Sequence, residues 1–206
     1  MNGSTDLLKT VNCIIRKAKS SKNVLRFVRL GDISKLSVIV YADASFCNQD
    51  GSTRSTEGRV VMLCNKETGH LNIGSWKTKK IVRVCRSAKA AETRALEEAV
   101  DDGINVARII REIYSGEVNL KAPEQIPVQA YTDSKLLWES IHNSRQCDEK
   151  LLRNSIAAIK ELIDLKMLTD VSWVSTDFQL ADCLTKKGKK AEWLQRTART
   201  NHLGNS

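Results

Sequence analysis

Histidine and paired cysteine are scarce in this chain. It has three histidines, and its six cysteines (13, 47, 64, 85, 147 and 183) include no Cys-x-x-Cys pair. That excludes a zinc site of ordinary ligand spacing and offers no disulfide framework, so the thiols are read as the reduced cysteines of an intracellular protein, cytoplasmic or nuclear. Long apolar runs are lacking too. No stretch approaches the roughly 20 residues that cross a bilayer, and the opening MNGSTDLLKTVNCIIRKAK has no uninterrupted apolar core of the kind a secretory leader carries. No membrane partner is expected, and neither repeats nor low-complexity tracts occur. Acid is thin at both ends: residues 1–36 hold eight Lys or Arg against two Asp, and residues 183–206 hold six against one Glu. The net charge of +9 and pI near 9.3 lean toward a polyanionic partner, although basic composition also serves solubility. A chain of 206 residues, 41 % of them hydrophobic, suits one medium domain with an appendage.

What is present reads as an α/β layer arrangement. Residues 5–19 put Leu8, Val11, Ile15 and Ala18 on one helical stripe. The main domain begins near Leu36. VIVYADASF, 38–46, is apolar on both faces, as a central strand covered on both sides must be. RVVMLCN (59–65) and HLNIGSW (70–76) follow as strands joined by a KETG turn. Between Ser87 and Tyr114 the period changes to 3.6, with Ala91, Ala95, Leu96, Ala99, Gly103, Ala107 and Ile110 in one broad stripe and Ser87 near the N-cap. IPVQAYTDS (126–134) is a strand ending at a helix start, Ser134. A long helix is expected from about 148 to 167, then a last strand in TDVSWVST (169–176), then a helix in LADCLTK. The order is a meander of three strands followed by crossovers.

Four acids stand in apolar settings. Asp43 and Asp133 close two strands with the same Y-x-D core, in VYADAS and AYTDSK. Glu92 has apolar residues three, four and seven positions on, so it faces the side of its helix that packs on the sheet. Asp182 lies between Leu180–Ala181 and Cys183–Leu184. Singly, each fits a plainer role: turn starters for Asp43 and Asp133, a first-turn acid for Glu92, an N-cap for Asp182. Together they can converge. Carboxylates sharing a dry cleft repel one another unless divalent cations neutralise them, and oxygen-only ligands favour magnesium or manganese. A pair of such ions suits in-line displacement at phosphorus.

Acids in the order Asp, Glu, Asp, Asp on this element order resemble the ribonuclease H fold. The strings YADASF, RSTEGRVVML, SWKTKK, AAETRALEEAV, YTDSK and WVSTDFQLADCLTKK resemble, more narrowly, the ribonuclease H domain at the C-terminal end of copia-type retrotransposon reverse transcriptases. The likeness covers residues 36–190, with QLADCLTK and YTDSK its most specific parts. Residues 1–35 resemble the helical connecting segment at the end of the reverse transcriptase portion, which leaves 191–206 as a basic tail. The resemblance implies an α/β ribonuclease H-like fold, a mixed five-stranded sheet with helices on both faces. It implies a metal-dependent endonuclease that hydrolyses the RNA strand of RNA–DNA hybrids with two Mg2+ ions, for which Mn2+ can substitute. Asp43 would bridge both ions, Glu92 and Asp133 would bind one, and Asp182 the other. A polymerase domain of the same polyprotein would be a partner; no Y-x-D-D polymerase motif occurs here. One departure is plain. Many ribonucleases H carry a histidine shortly before the last aspartate, and STDFQLAD has none, with Asp177 near that position.

Phosphate contacts are expected from Lys77, Lys79, Lys80, Arg83 and Arg86, between Trp76 and the Glu92 helix, the plainer reading of such a run being a solvated face. Preference for RNA needs partners for the 2′-hydroxyl, and the backbone around Ala44 and Ser45 with Ser134 beside Asp133 are the candidates. Trp76 and Trp173 are expected in the core, with Trp138 open, and His70, His142 and His202 in surface or structural roles. Two rivals stand beside the hybrid nuclease. One is a catalytically weak or inactive fragment that binds nucleic acid or supports a polymerase; the other is a DNA-cutting relative of the same fold.

Overall fold

Leu36–Ser45 forms β1, the middle strand of a five-stranded sheet, and nine of its ten residues are buried. Cover on both faces is what its two-sided apolar pattern requires. The computed structural model describes residues 3–20, 25–47, 54–116, 126–143, 149–186, 188 and 191–203. Residues 48–53, between the first two expected strands, residues 117–125, the first residue of the helix expected from about 148, and Cys147 lie outside the described residues.

β2 (Thr56–Asn65) and β3 (Leu71–Lys80) extend the sheet antiparallel on one side of β1; β4 (Val128–Thr132) and β5 (Asp170–Trp173) extend it parallel on the other. The order is β3-β2-β1-β4-β5, a mixed sheet. β2 begins earlier and β3 ends later than the apolar runs suggested, because ladder pairing continues through Thr56–Lys80. β5 is shorter than expected, only four residues.

Two apolar layers sandwich the sheet. On one face Val38, Val40, Ala42 and Val128 meet α2 (Ala88–Ser115), with α3 (Lys135–His142) and α4 (Arg153–Asp164) beside it burying Leu137, Ile141, Ile156 and Ile159. Full burial of each such side chain is worth about 1.5–3 kcal/mol. The Ser87 hydroxyl caps α2 by accepting from the Ala90 N–H at 3.0 Å. Gly116 ends the helix in the left-handed region. Gly103 permits close packing: a Cβ there would lie 2.6 Å from Val40 Cγ1. On the other face Ile39, Tyr41, Val60, Met62, Leu71 and Ile73 pack with Leu180 and Ala181. Trp193, Leu194 and Ala198 of α6 (Glu192–Thr200) cover the same layer.

The segment expected as a basic tail therefore contributes to this layer from 191 onward. Its Asn201 is buried and its side-chain amide donates to the Leu71 carbonyl at 2.9 Å, while His202 pairs with His70, ring centroids 4.5 Å apart. α1 (Gly3–Ser20) is helical as its stripe predicts, but its described side chains, 6–20, are all exposed. Trp76 and Trp173 are not core residues. They are 56 % and 49 % exposed: Trp76, on the edge strand β3, lines an open groove beside Leu194 and Ala198, and Trp173 is the last residue of the edge strand β5. Among the described residues no helix is long and apolar enough to cross a membrane.

One polar cluster in the interior was not foreseen. Arg59 of β2 is buried and its guanidinium contacts Glu57 at 2.6 Å, Asp102 at 2.5 Å and Glu98 at 3.4 Å, the last two from α2. Lys79 of β3 joins through Glu57 and Glu98. The cluster ties the helix that carries Glu92 to the β2–β3 edge.

Candidate active site

β1 and β4 run parallel, so their C-terminal ends share one edge of the sheet. Register pairs Tyr41 with Tyr131, whose rings stack at 4.9 Å, and brings Asp43 and Asp133, each two residues on, to the same level. α2 enters from above, and Glu92, in its second turn, reaches the same point. One carboxylate oxygen from each of Asp43, Glu92 and Asp133 lies within 4.8 Å of the others, close enough for a single cation. The acids that the sequence singles out at two strand ends and one helix face thus meet.

Charge at this point is strongly disfavoured in the bare protein. Burial, then the neighbouring Asp43 and Asp133 charges, pushes the Glu92 carboxyl up to about 9; the Ala44 backbone N–H and the Lys186 ammonium oppose the shift without cancelling it. Burial pushes Asp43 up to about 6, against the Thr185 hydroxyl and Lys186. Among the described residues Glu92 Oε2 is buried with no hydrogen-bond partner. Three acids facing inward around an unsatisfied oxygen fit a hard divalent cation, which would let all three ionise. Asp133 is better supplied: Thr176 Oγ1 donates to its Oδ2 at 2.9 Å, and the Trp173 indole N–H donates to its backbone carbonyl at 3.1 Å. Thr176, not the exposed Asp177 beside it, reaches the site.

The fourth acid stands at the edge of this group. Asp182 opens the four-residue helix α5 (Asp182–Thr185), is 1 % exposed, and forms an ion pair with Lys186 one turn on. It falls outside the three acids whose oxygens share the 4.8 Å limit, yet its charge still raises Asp43. α5 is pinned to β1 by the Thr185 hydroxyl, which donates to Asp43 Oδ2. Gln179 secures the preceding loop by donating to the Ala42 carbonyl at 2.9 Å. Gly58, paired with Asp43 across the ladder, makes the approach possible: a Cβ there would lie 2.8 Å from Thr185 Cγ2 and 2.9 Å from Leu184 Cβ. Gly58, Thr176, Gln179, Thr185 and Lys186 carry no role in the sequence reading. Only the four-residue spacing of Asp182 and Lys186 signals any of them.

The expected nucleic-acid contacts divide. Lys77, Lys80, Arg83 and Arg86 are exposed, whereas Lys79 is engaged by Glu57 and Glu98. The Ala44 N–H is engaged by Glu92, Ser45 is half-buried beyond it, and Ser134 precedes α3 with its own N–H donating to Thr132 Oγ1 at 3.2 Å. His142 bonds Asp170 and the Trp138 carbonyl away from the acids, a structural role.

No protein-family model and no curated protein matches the chain. Solved structures do. The ribonuclease H1 of the halophilic archaeon Halobacterium salinarum NRC-1 is similar over 72 % of this chain and 93 % of its own, with TM-score 0.51 and 17 % identity. The N-terminal ribonuclease H domain of rv2228c from Mycobacterium tuberculosis, solved as a fusion with maltose binding protein, aligns with TM-score 0.49 and 17 % identity over 80 % of this chain and 99 % of that one. LC11-RNase H1 in complex with RNA/DNA hybrid gives 0.49 and 18 % over 72 % and 93 %. Strand order, mixed pairing and the likeness to the archaeal protein agree: the chain has the α/β ribonuclease H-like fold.

Proposed function

We propose that this chain is a metal-dependent endonuclease that hydrolyses the RNA strand of RNA–DNA hybrids, of the kind found in copia-type retrotransposon reverse transcriptases. The observation that carries the reading is the meeting of Asp43, Glu92 and Asp133 within 4.8 Å at the C-terminal edge of the parallel strands of a ribonuclease H fold. These three residues would hold one Mg2+ or Mn2+ ion, and Asp43 with Asp182 a second; bound there, such ions lower the pKa of a water nucleophile and neutralise the leaving oxygen. The chain's own groups do the rest. Thr185 and Thr176 orient the carboxylates of Asp43 and Asp133 by donating to one oxygen of each, leaving the other to turn inward. Lys77, Lys80, Arg83 and Arg86 draw the phosphate backbone to the cleft, and the backbone at Ser45 with Ser134 reads the 2′-hydroxyl. The copia origin, and a polymerase domain as partner, rest on the YTDSK and QLADCLTK strings.

Cleavage of an end-labelled RNA–DNA hybrid in Mg2+ and in Mn2+ tests the proposal, beside Asp133→Asn and matched duplex DNA. The expected result is RNA-strand cutting with 5′-phosphate and 3′-hydroxyl ends, abolished in the variant, with duplex DNA intact. The absent loop histidine and the Lys186 ion pair on Asp182 favour one alternative, a binding fragment of little activity. A hybrid bound but uncut in either metal would establish that alternative, and cutting of duplex DNA would point to the DNA-cutting relatives.

A further inference from the structure

The acid cleft contains a cation that belongs to the chain. Lys186 leaves the end of α5, and its ammonium forms an ion pair with Asp182, a carboxylate only 1 % exposed. The same ammonium draws the Asp43 and Glu92 carboxyls down, and the Asp133 charge holds the ammonium protonated in turn. Lys186 thus combines a direct ion pair to the buried Asp182 with an electrostatic hold on the neighbouring acids. Its location is not adjustable by sliding the helix. Gly58 lets α5 sit against β2, and the Thr185 hydroxyl fastens it to Asp43, so the lysine stem starts from a fixed point beside the acids. The far end is less constrained: the Lys186 side chain is 42 % exposed, and a four-carbon stem can swing outward without opening the core.

A buried carboxylate needs a positive neighbour, and an ammonium and a divalent ion repel when both crowd it. Occupancy of the Asp182 side is therefore a choice between the two. We propose that Lys186 is a tethered cation standing in for a second divalent ion on Asp182. Protein without nucleic acid then takes a single ion, on Asp43, Glu92 and Asp133, and admits another only when Lys186 swings out. The inference rests on the metal reading of the acid cluster.

Equilibrium Mn2+ binding to the full chain, followed by electron paramagnetic resonance of the unbound ion in the absence of nucleic acid, separates the two ideas. Wild type, Lys186→Met and Lys186→Gln are compared, with Asp182→Asn added to each lysine variant. The expected result is a single Mn2+ on wild type and an additional one on both lysine variants, bound about tenfold or more tighter than any second ion on wild type once the local positive charge is gone. Asp182→Asn should remove that additional ion. Identical stoichiometry and affinity in wild type and both variants would overturn the role of Lys186 while leaving the metal site intact. No Mn2+ on wild type or on either variant would overturn the metal reading, and this inference with it.

Discussion

Replacing Glu92 by a side chain that cannot ionise should stabilise the metal-free protein, and by an amount that depends on pH. In an open chain the carboxyl titrates near 4.5; in the fold burial and the Asp43 and Asp133 charges hold it protonated up to about 9. Between those values the unfolded state binds fewer protons than the folded one, so stability falls as pH rises through that window and levels off above it. Each pH unit costs about 1.4 kcal/mol. Over the span from 4.5 the loss reaches about 3 kcal/mol at pH 7, and about 6 kcal/mol above pH 9. Glutamine has the same shape, does not titrate, and turns an amide donor toward Asp43 and Asp133.

Urea unfolding in the presence of a chelator is the assay. Glu92→Gln should match wild type near pH 4, exceed it by about 3 kcal/mol at pH 7, and widen the gap toward pH 9. Asp43, raised from 3.8 to about 6, adds a fall of the same sign at lower pH, and much of it is common to both proteins. Saturating Mn2+ should then reverse the order, because an ion that binds only the folded state stabilises it, and the glutamine variant binds the ion poorly. A Glu92→Gln protein less stable than wild type at pH 7 under chelator would refute the reasoning. So would a difference that stays flat from pH 4 to 9.

Gly58→Ala should cost about 1–3 kcal/mol and suppress hybrid cleavage beyond the loss of folded protein. The new methyl meets Thr185, Leu184 and the Ala181 carbonyl together, forcing α5 away from Asp43. Cleavage at the wild-type rate by the folded fraction would show that the contact does not matter. Arg59→Met should cost about 3–5 kcal/mol in urea, since Glu57, 3 % exposed at its side chain, loses its closest cation. Adding Glu57→Gln should recover part of that loss, and a double-mutant cycle with no coupling between the two would sink the account.

Much of the fold was legible because it is written in local periods. Two-sided apolarity placed β1 at the centre, and the 3.6-residue stripe through Gly103 marked the face of α2 that packs on it. Asp43, Asp133 and Glu92 were visible for the same reason: each breaks a pattern at a position where the pattern fixes its direction. Trp76 misled because hydrophobicity says nothing of which strand is an edge. β3 buries Leu71 and Ile73 under α6, whereas Trp76 lies in the open groove beside Leu194 and Ala198. α6 itself was hidden by the basic composition around it, although Trp193, Leu194 and Ala198 recur at helical spacing.

The Asp182 side of the site shows where a local period stops being informative. Asp182 and Lys186 are visible in sequence as an ordinary i, i+4 pair, which on an exposed helix is worth only a few tenths of a kcal/mol. What changes its meaning is Gly58, a residue of a different strand whose missing side chain lets α5 descend onto β1. A helix of four residues has no apolar stripe to announce that burial. The pair passes from surface ornament to part of the cleft through a single absent Cβ, a contact made across the sheet and invisible to any pattern read along the chain.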